Sequence, residues 1–168
     1  MIDMTFKEFA SRMQRVIESY PKYEAEAASI LGVALVEKAQ NKIGHLQNGG
    51  EFFPAWEPLK ESTIADKKRQ GYFFQPDGNP LYRTGSLKEH ISHVFNWANH
   101  VLYIGSPDLI LQFQEEGTVH IPARSVLHST MFQAEPLAEV VFQHMLKNWI
   151  TQKPLTNSII TPELTKND

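Results

Sequence analysis

Apolar residues recur at three- and four-residue steps through the start of the chain: Phe6, Phe9, Ala10, Met13, Val16 and Ile17. That is the period of one helix face, and it predicts an amphipathic helix over residues 5–19. Thr5 and Glu8 stand at the spacing of a capping box, in which each side chain satisfies the other's backbone N–H. Pro21 has no backbone donor and restricts the residue before it, so a break is predicted at Tyr20-Pro21. A second apolar stripe, from Tyr23 and Ala27 to Leu35 and Ile43, predicts a second helix that stops at Gly44. The two would form a helical hairpin.

The pattern then loosens. Residues 44–60 are rich in Gly, Asn and Pro yet carry Phe52, Phe53 and Trp56, which suit either a core plug or a partner contact. "ESTIADKKRQG" predicts a short polar helix ending at Gly71. Pro76-Asp77-Gly78 and Asn79-Pro80 are turn signals, and Thr84 is placed to cap a short helix through Leu87. From Ile91 the period changes to two. His93 and Phe95 alternate with Ser92, Val94 and Asn96, and Val101–Ile104 follows the "ANH" turn, which predicts two antiparallel strands. "SPDLILQFQEEG" predicts a helix with Ser106 as its cap and Gly117 as its end. "TVHIPARSVLHST" is expected to be extended, with Pro122 marking an edge strand or a bend. Leu137, Val140, Val141, Met145 and Trp149 stripe a last helix that opens at Glu135-Pro136.

These elements predict an α+β fold: an N-terminal helical hairpin and a C-terminal helix packed on a small antiparallel β-sheet. Residues 1–153 are expected to form one domain and residues 154–168 a flexible tail. A chain of 168 residues buries roughly 70% of its unfolded surface, enough to fold without staples. Cysteine is absent, which excludes disulfides, thiolate metal sites and a cysteine nucleophile. The N-terminus lacks the pattern of a signal peptide, and no apolar run approaches a membrane span. Sixteen basic against 19 acidic residues argue against broad binding to a phosphate backbone.

Seven histidines invite a metal reading. His90 and His93 form an H-x-x-H pair, but on a strand a three-residue step points to opposite faces. His120 and His128 flank Pro122, with Glu115 and Glu116 nearby. A metal site needs three or four converging ligands, and no H-E-x-x-H signature is present. Ser86, Ser125 and Ser129 lack a G-x-S-x-G setting. Glu115 and Glu116 are adjacent and diverge, so a solvated face suits them better than a catalytic dyad. The run "DKKRQG" carries the charge favoured at a helix C-terminus, and it could touch DNA if it lined a channel. No phosphate-binding glycine loop is present.

From Trp56 onward the order and spacing of several short motifs resemble the phage virion-morphogenesis and tail-completion (head–tail joining) proteins. They are "WEPLKEST" with Trp56, Pro58 and Leu59, "LYRTGSLKEHI" with Leu81, Thr84, Gly85 and Leu87, "LYIGS" with Gly105, "FQEEGT" with Gly117, and "HIPARSVL" with Ile121, Pro122 and Arg124. "LILQFQEEG" departs from the family pattern at Ile110-Leu111 and Gln114-Glu115. The resemblance implies a structural protein without catalysis or cofactor. It would act as a ring homo-oligomer docking on head-connector, tail-tube or terminator proteins, in the bacterial host cytoplasm during assembly and then in the virion. It implies no membrane contact and no sequence-specific nucleic-acid binding, although DNA in a channel could pass close by. Residues 115–130 are read as its assembly element, with Gly117 releasing an edge segment and Arg124 beside that edge facing a carboxylate or carbonyl of a neighbour, or else pairing internally with Glu115 or Glu116. The alternative from a different class is a small metal-dependent hydrolase or nuclease using His120, His128 and the nearby carboxylates.

Overall fold

The computed structural model describes residues 4–50, 52–72 and 78–156. The Pro76-Asp77 part of the predicted turn and the tail from residue 157 lie outside the described residues. The elements run α1 (Phe6–Lys42), α2 (Glu61–Arg69), α3 (Ser86–Glu89), β1 (Ser92–Asn96), β2 (Val101–Gly105), α4 (Leu109–Glu116), α5 (Leu127–Phe132) and α6 (Glu135–Thr151). This is an α+β fold with a long N-terminal helix, a C-terminal helix and a two-stranded antiparallel sheet. The chain groups into two compact units, one holding the residues up to Leu31 and from Pro136, the other Gly32–Glu135.

The predicted hairpin is corrected. One continuous helix runs from Phe6 to Lys42 with Pro21 inside it. An interior proline removes one helical hydrogen bond and costs about 3 kcal/mol in an isolated helix. Here α6 and the two residues after it fasten the turns on both sides. Trp149 Nε1 donates to the Val16 carbonyl at 2.6 Å, and Tyr23 donates its hydroxyl to the Lys153 carbonyl at 2.9 Å. Gln152 Nε2 reaches Ser19 Oγ at 2.9 Å, and the Tyr20 ring meets Trp149 edge-on at 5.1 Å. Anchoring at four positions over about two turns outweighs the local preference to break. The Thr5–Glu8 capping box forms as the spacing predicts, with Thr5 N–H on Glu8 Oε2 at 2.8 Å and Glu8 N–H on Thr5 Oγ1 at 3.3 Å. The Thr5 amide and hydroxyl hold the Glu8 carboxyl below its ordinary pKa.

In the second unit the two-residue period becomes the hairpin sheet. His93 pairs with Ile104 and Phe95 with Leu102 on the half-buried face, while Val94 and Tyr103 pair on the exposed one. The core gathers Ala39 of α1 and Ile43 just after it with Trp56, Leu87, Ile91, Leu111 and Val126, and Ile104 packs against it. α1 approaches the sheet closely at Gly32, where an added Cβ would meet the His93 ring at 2.3 Å. Glycine to alanine inside an exposed helix stabilises by roughly 1 kcal/mol. At Gly32 the sign reverses, because overpacking of this kind costs about 1–3 kcal/mol. Urea unfolding of Gly32→Ala is expected to show a net loss, relieved when His93 is also shortened to alanine. A stabilised Gly32→Ala would remove this account of the helix–sheet contact.

Between α2 and α3 the chain turns through two residues with left-handed backbone, Asn79 at φ 54° and Leu81 at φ 63°. Non-glycine residues hold this region only when the surroundings impose it. Lys67 does so. Although it lies in the run read as helix-terminal charge, it is buried, and its ammonium donates to the carbonyls of Gly78, Asn79 and Tyr82 at 2.8, 2.5 and 2.7 Å. Asp66 beside it receives Arg69 and Arg83 at 2.6 and 2.9 Å. Two members of the basic run are thus committed to local structure.

Candidate functional site

Half of the twelve motif residues meet in one place. Pro58 and Leu59 come from the loop before α2, Leu81 from the left-handed turn, and Ile121, Pro122 and Arg124 from the segment after α4. Together they line a cleft of about 310 Å³. The others are scattered by role. Trp56 and Leu87 are core. Gly85 precedes α3 at φ 96°, Gly117 ends α4 at φ 75°, and Gly105 closes β2. Thr84 is exposed, with its hydroxyl 3.2 Å from Ser86 Oγ; the backbone cap of α3 is Gly85 instead. Likewise Asp108, not Ser106, occupies the cap of α4; the Ser106 hydroxyl accepts from the Asp108 amide at 3.2 Å.

The segment 115–130 is not the edge strand that Pro122 suggested. Thr118 and Ile121 close a tight turn through reciprocal backbone bonds of 2.8 and 3.3 Å, and α5 occupies residues read as extended. Gly117 explains the compactness: a Cβ there would meet Ala123 N at 2.9 Å, so the chain folds back directly onto the end of α4. This return buries Arg124, which is only 6% exposed. Its backbone N–H donates to the Gln114 carbonyl at 2.5 Å and its Nη2 donates to the Glu57 carbonyl at 3.0 Å. The Nε–H of Arg124 and the side-chain Oε1 of Gln114 are buried without a partner among the described residues. Burial lowers the guanidinium pKa against the opposing pull of Glu57. The expected internal pairing with Glu115 or Glu116 does not form; Arg124 sits on the Glu57 and Gln114 carbonyls instead.

Glu115 is occupied elsewhere. Its side chain is 6% exposed and caps the start of α5. It accepts from the Val126 amide at 2.7 Å, from the Leu127 amide at a shorter contact, and from the His128 amide at 3.3 Å. Ser125 Oγ and His128 Nδ1 complete the set at 2.9 and 3.0 Å. Serine, histidine and carboxylate therefore meet here, but the carboxylate lies between the other two. The histidine does not hold the serine proton, so the order needed for a nucleophile is absent. His120 lines the cleft instead. His90 pairs with Asp108 at 2.8 Å, and His93 faces Gly32. Among the described residues no group of three or more His, Asp or Glu side chains is gathered for a metal.

Sequence reasoning missed Lys42. It stands three residues after Ala39 on the buried face of α1, a charge at a stripe position, and that spacing was the available signal. The ammonium donates to Ser129 Oγ at 2.7 Å, and the Ser129 hydroxyl donates to the Ser125 carbonyl at 2.7 Å. The serine proton is thus directed at a carbonyl, away from the lysine. Burial chiefly, with Lys38 adding, lowers the Lys42 pKa to about 8, against the pull of Glu115. Because the folded value lies below the unfolded one, the unfolded chain binds more protons between them and stability rises with pH. Going from pH 7.5 to 9.5 is expected to add roughly 2 kcal/mol from this group. Lys42→Met, which keeps the stem, should remove that increment. Equal pH dependence in the two proteins by urea titration would contradict the burial.

No family model, no curated protein and no solved structure matches this chain. No helix among the described residues is long and apolar enough to cross a membrane.

Proposed function

We propose that this protein is a structural component of phage or prophage particles that works by docking, at tail completion or head–tail joining, and that it assembles into a ring. The phage assignment rests on the ordered motifs from Trp56 to Arg124. The docking mode is supported by one observation above others. The first turns of α1 carry an apolar stripe that stays in solvent: Phe6 is 85% exposed, Phe9 51%, Met13 41% and Ile17 64%. Apolar stripes of this kind mark surfaces that a partner covers. The same face continues into Val16, Tyr23 and Ala27, which are buried. Repeated around a ring, such contacts gain strength from avidity. Partners in this reading are other copies and head-connector, tail-tube or terminator proteins, met in the host cytoplasm and retained in the virion.

Electron microscopy of particles made without the protein tests the reading. Separated heads and tails, or tails of irregular length, are expected; intact infectious particles would overturn it. Phe9→Glu with Ile17→Glu should leave thermal stability within about 0.5 kcal/mol, as for surface positions generally, and still prevent incorporation. A variant that incorporates normally would remove the stripe from the mechanism.

A further inference from the structure

We propose that the cleft between Pro58, Leu59, Leu81 and Ile121–Arg124 binds an extended segment of a partner protein that carries an acidic side chain. Three observations point to this ligand. First, Arg124 is a buried cation with no carboxylate in an ion pair among the described residues. An arginine stays charged, and a buried charge without an ion-pair partner favours an anion that joins it. Its Nη2 bond to the Glu57 carbonyl supplies a dipole, and the Glu57 carboxylate pulls on it electrostatically without closing an ion pair.

Second, the two unpartnered groups are of opposite kinds. Arg124 Nε–H is a donor and Gln114 Oε1 is an acceptor, and both residues line the cleft. A phosphate dianion offers acceptors only and would leave the Gln114 oxygen facing negative charge. Both atoms lie beneath the cleft surface, and a peptide unit, which offers a carbonyl and an N–H together, complements this pair once the Gln114 side chain turns to admit it. Third, the walls are prolines and branched aliphatics, and exposed Lys60 stands at the rim with Glu57 as the acidic lining residue. Apolar walls suit the side chains flanking the acid, and the net positive lining suits the acid itself.

This inference rests on the docking reading only in taking the occupant to be a protein segment, and its test reads the cleft alone. The probe is acetyl-Leu-Glu-Leu-amide, titrated into ¹⁵N-labelled full-length protein while the Arg124 Nε–H resonance is followed. A saturable shift is expected, with acetyl-Leu-Gln-Leu-amide and inorganic phosphate each binding at least about tenfold more weakly. Gln114→Glu places a competing carboxylate beside Arg124 and should weaken the glutamate peptide by a similar factor without loss of thermal stability. Lys60→Glu, at an exposed position, should weaken it as well. An unmoved Arg124 resonance overturns the proposal, as does phosphate binding as tightly as the peptide, or peptide binding unchanged in Gln114→Glu. Normal incorporation of Gln114→Glu into particles alongside lost peptide binding would separate the cleft from the assembly role. Failure of particles lacking the protein to show any defect would instead strike the docking reading.

Discussion

Trp56→Ala is expected to destabilise the protein by about 3–5 kcal/mol, the range for truncating a large buried aromatic. The indole is 5% exposed although it sits in a loop dense with turn residues. It joins residues of α1, α3, α4 and the segment before α5 in one cluster: Ala39, Ile43, Leu87, Leu111 and Val126. The loop is otherwise pinned by few bonds, among them Trp56 N–H to the Gln47 carbonyl at 3.0 Å. Removing the indole therefore opens a cavity and frees the loop together. Phe52, four positions earlier, is 65% exposed and stacks on Phe132 at 5.4 Å. Phe52→Ala should cost less than about 1 kcal/mol, as exposed substitutions do. Urea unfolding followed by circular dichroism compares the two without relying on the deleted fluorophore. Equal losses would mean that the loop, rather than the core, is what Trp56 holds.

Glu115→Ala carries a similar penalty, about 3–5 kcal/mol, because it removes a buried charge on which a network depends. Three backbone amides at the start of α5, a serine hydroxyl and a histidine ring lose their acceptor at once. Buried N–H groups left without a partner cost roughly 1–3 kcal/mol each before relaxation. Glu116 is the internal control. It is exposed, its contact is Gln112 at 3.4 Å, and Glu116→Ala should fall within about 0.5 kcal/mol of the parent. A second readout is independent of stability. Glu115 is the charge that opposes the lowering of the Lys42 pKa, so in Glu115→Ala the pH-linked gain from Lys42 should begin at lower pH. A Glu115→Ala protein as stable as Glu116→Ala would end the capping account.

The two carboxylates differ sharply in the fold yet are neighbours in sequence, and this marks where reading the chain stops. The repeating patterns are local. A 3.6-residue stripe or a two-residue alternation follows from backbone geometry alone, so α2, β1, β2, α4 and α6 were legible from residue spacing. The capping box at Thr5 and Glu8 and the terminator at Gly117 were legible for the same reason: their partners lie within one turn.

What the sequence by itself determined, then, is the α+β class, the places of α2, the two strands, α4 and α6, and the concentration of motif residues around 56–59, 81–87 and 117–124. The tertiary structure decided which charges are inside and what they hold. Lys42 finds Ser129 across 87 positions, Arg124 finds Glu57 across 67, and Trp149 finds Val16 across 133. No local period encodes such partners, because the free energy of burying a charge or continuing a helix through Pro21 depends on groups that arrive only when the chain has folded. The same dependence turned an expected edge at Pro122 into the wall of a cleft: Gly117 allows the return, and Arg124 is carried inward to a carbonyl that the sequence places far upstream.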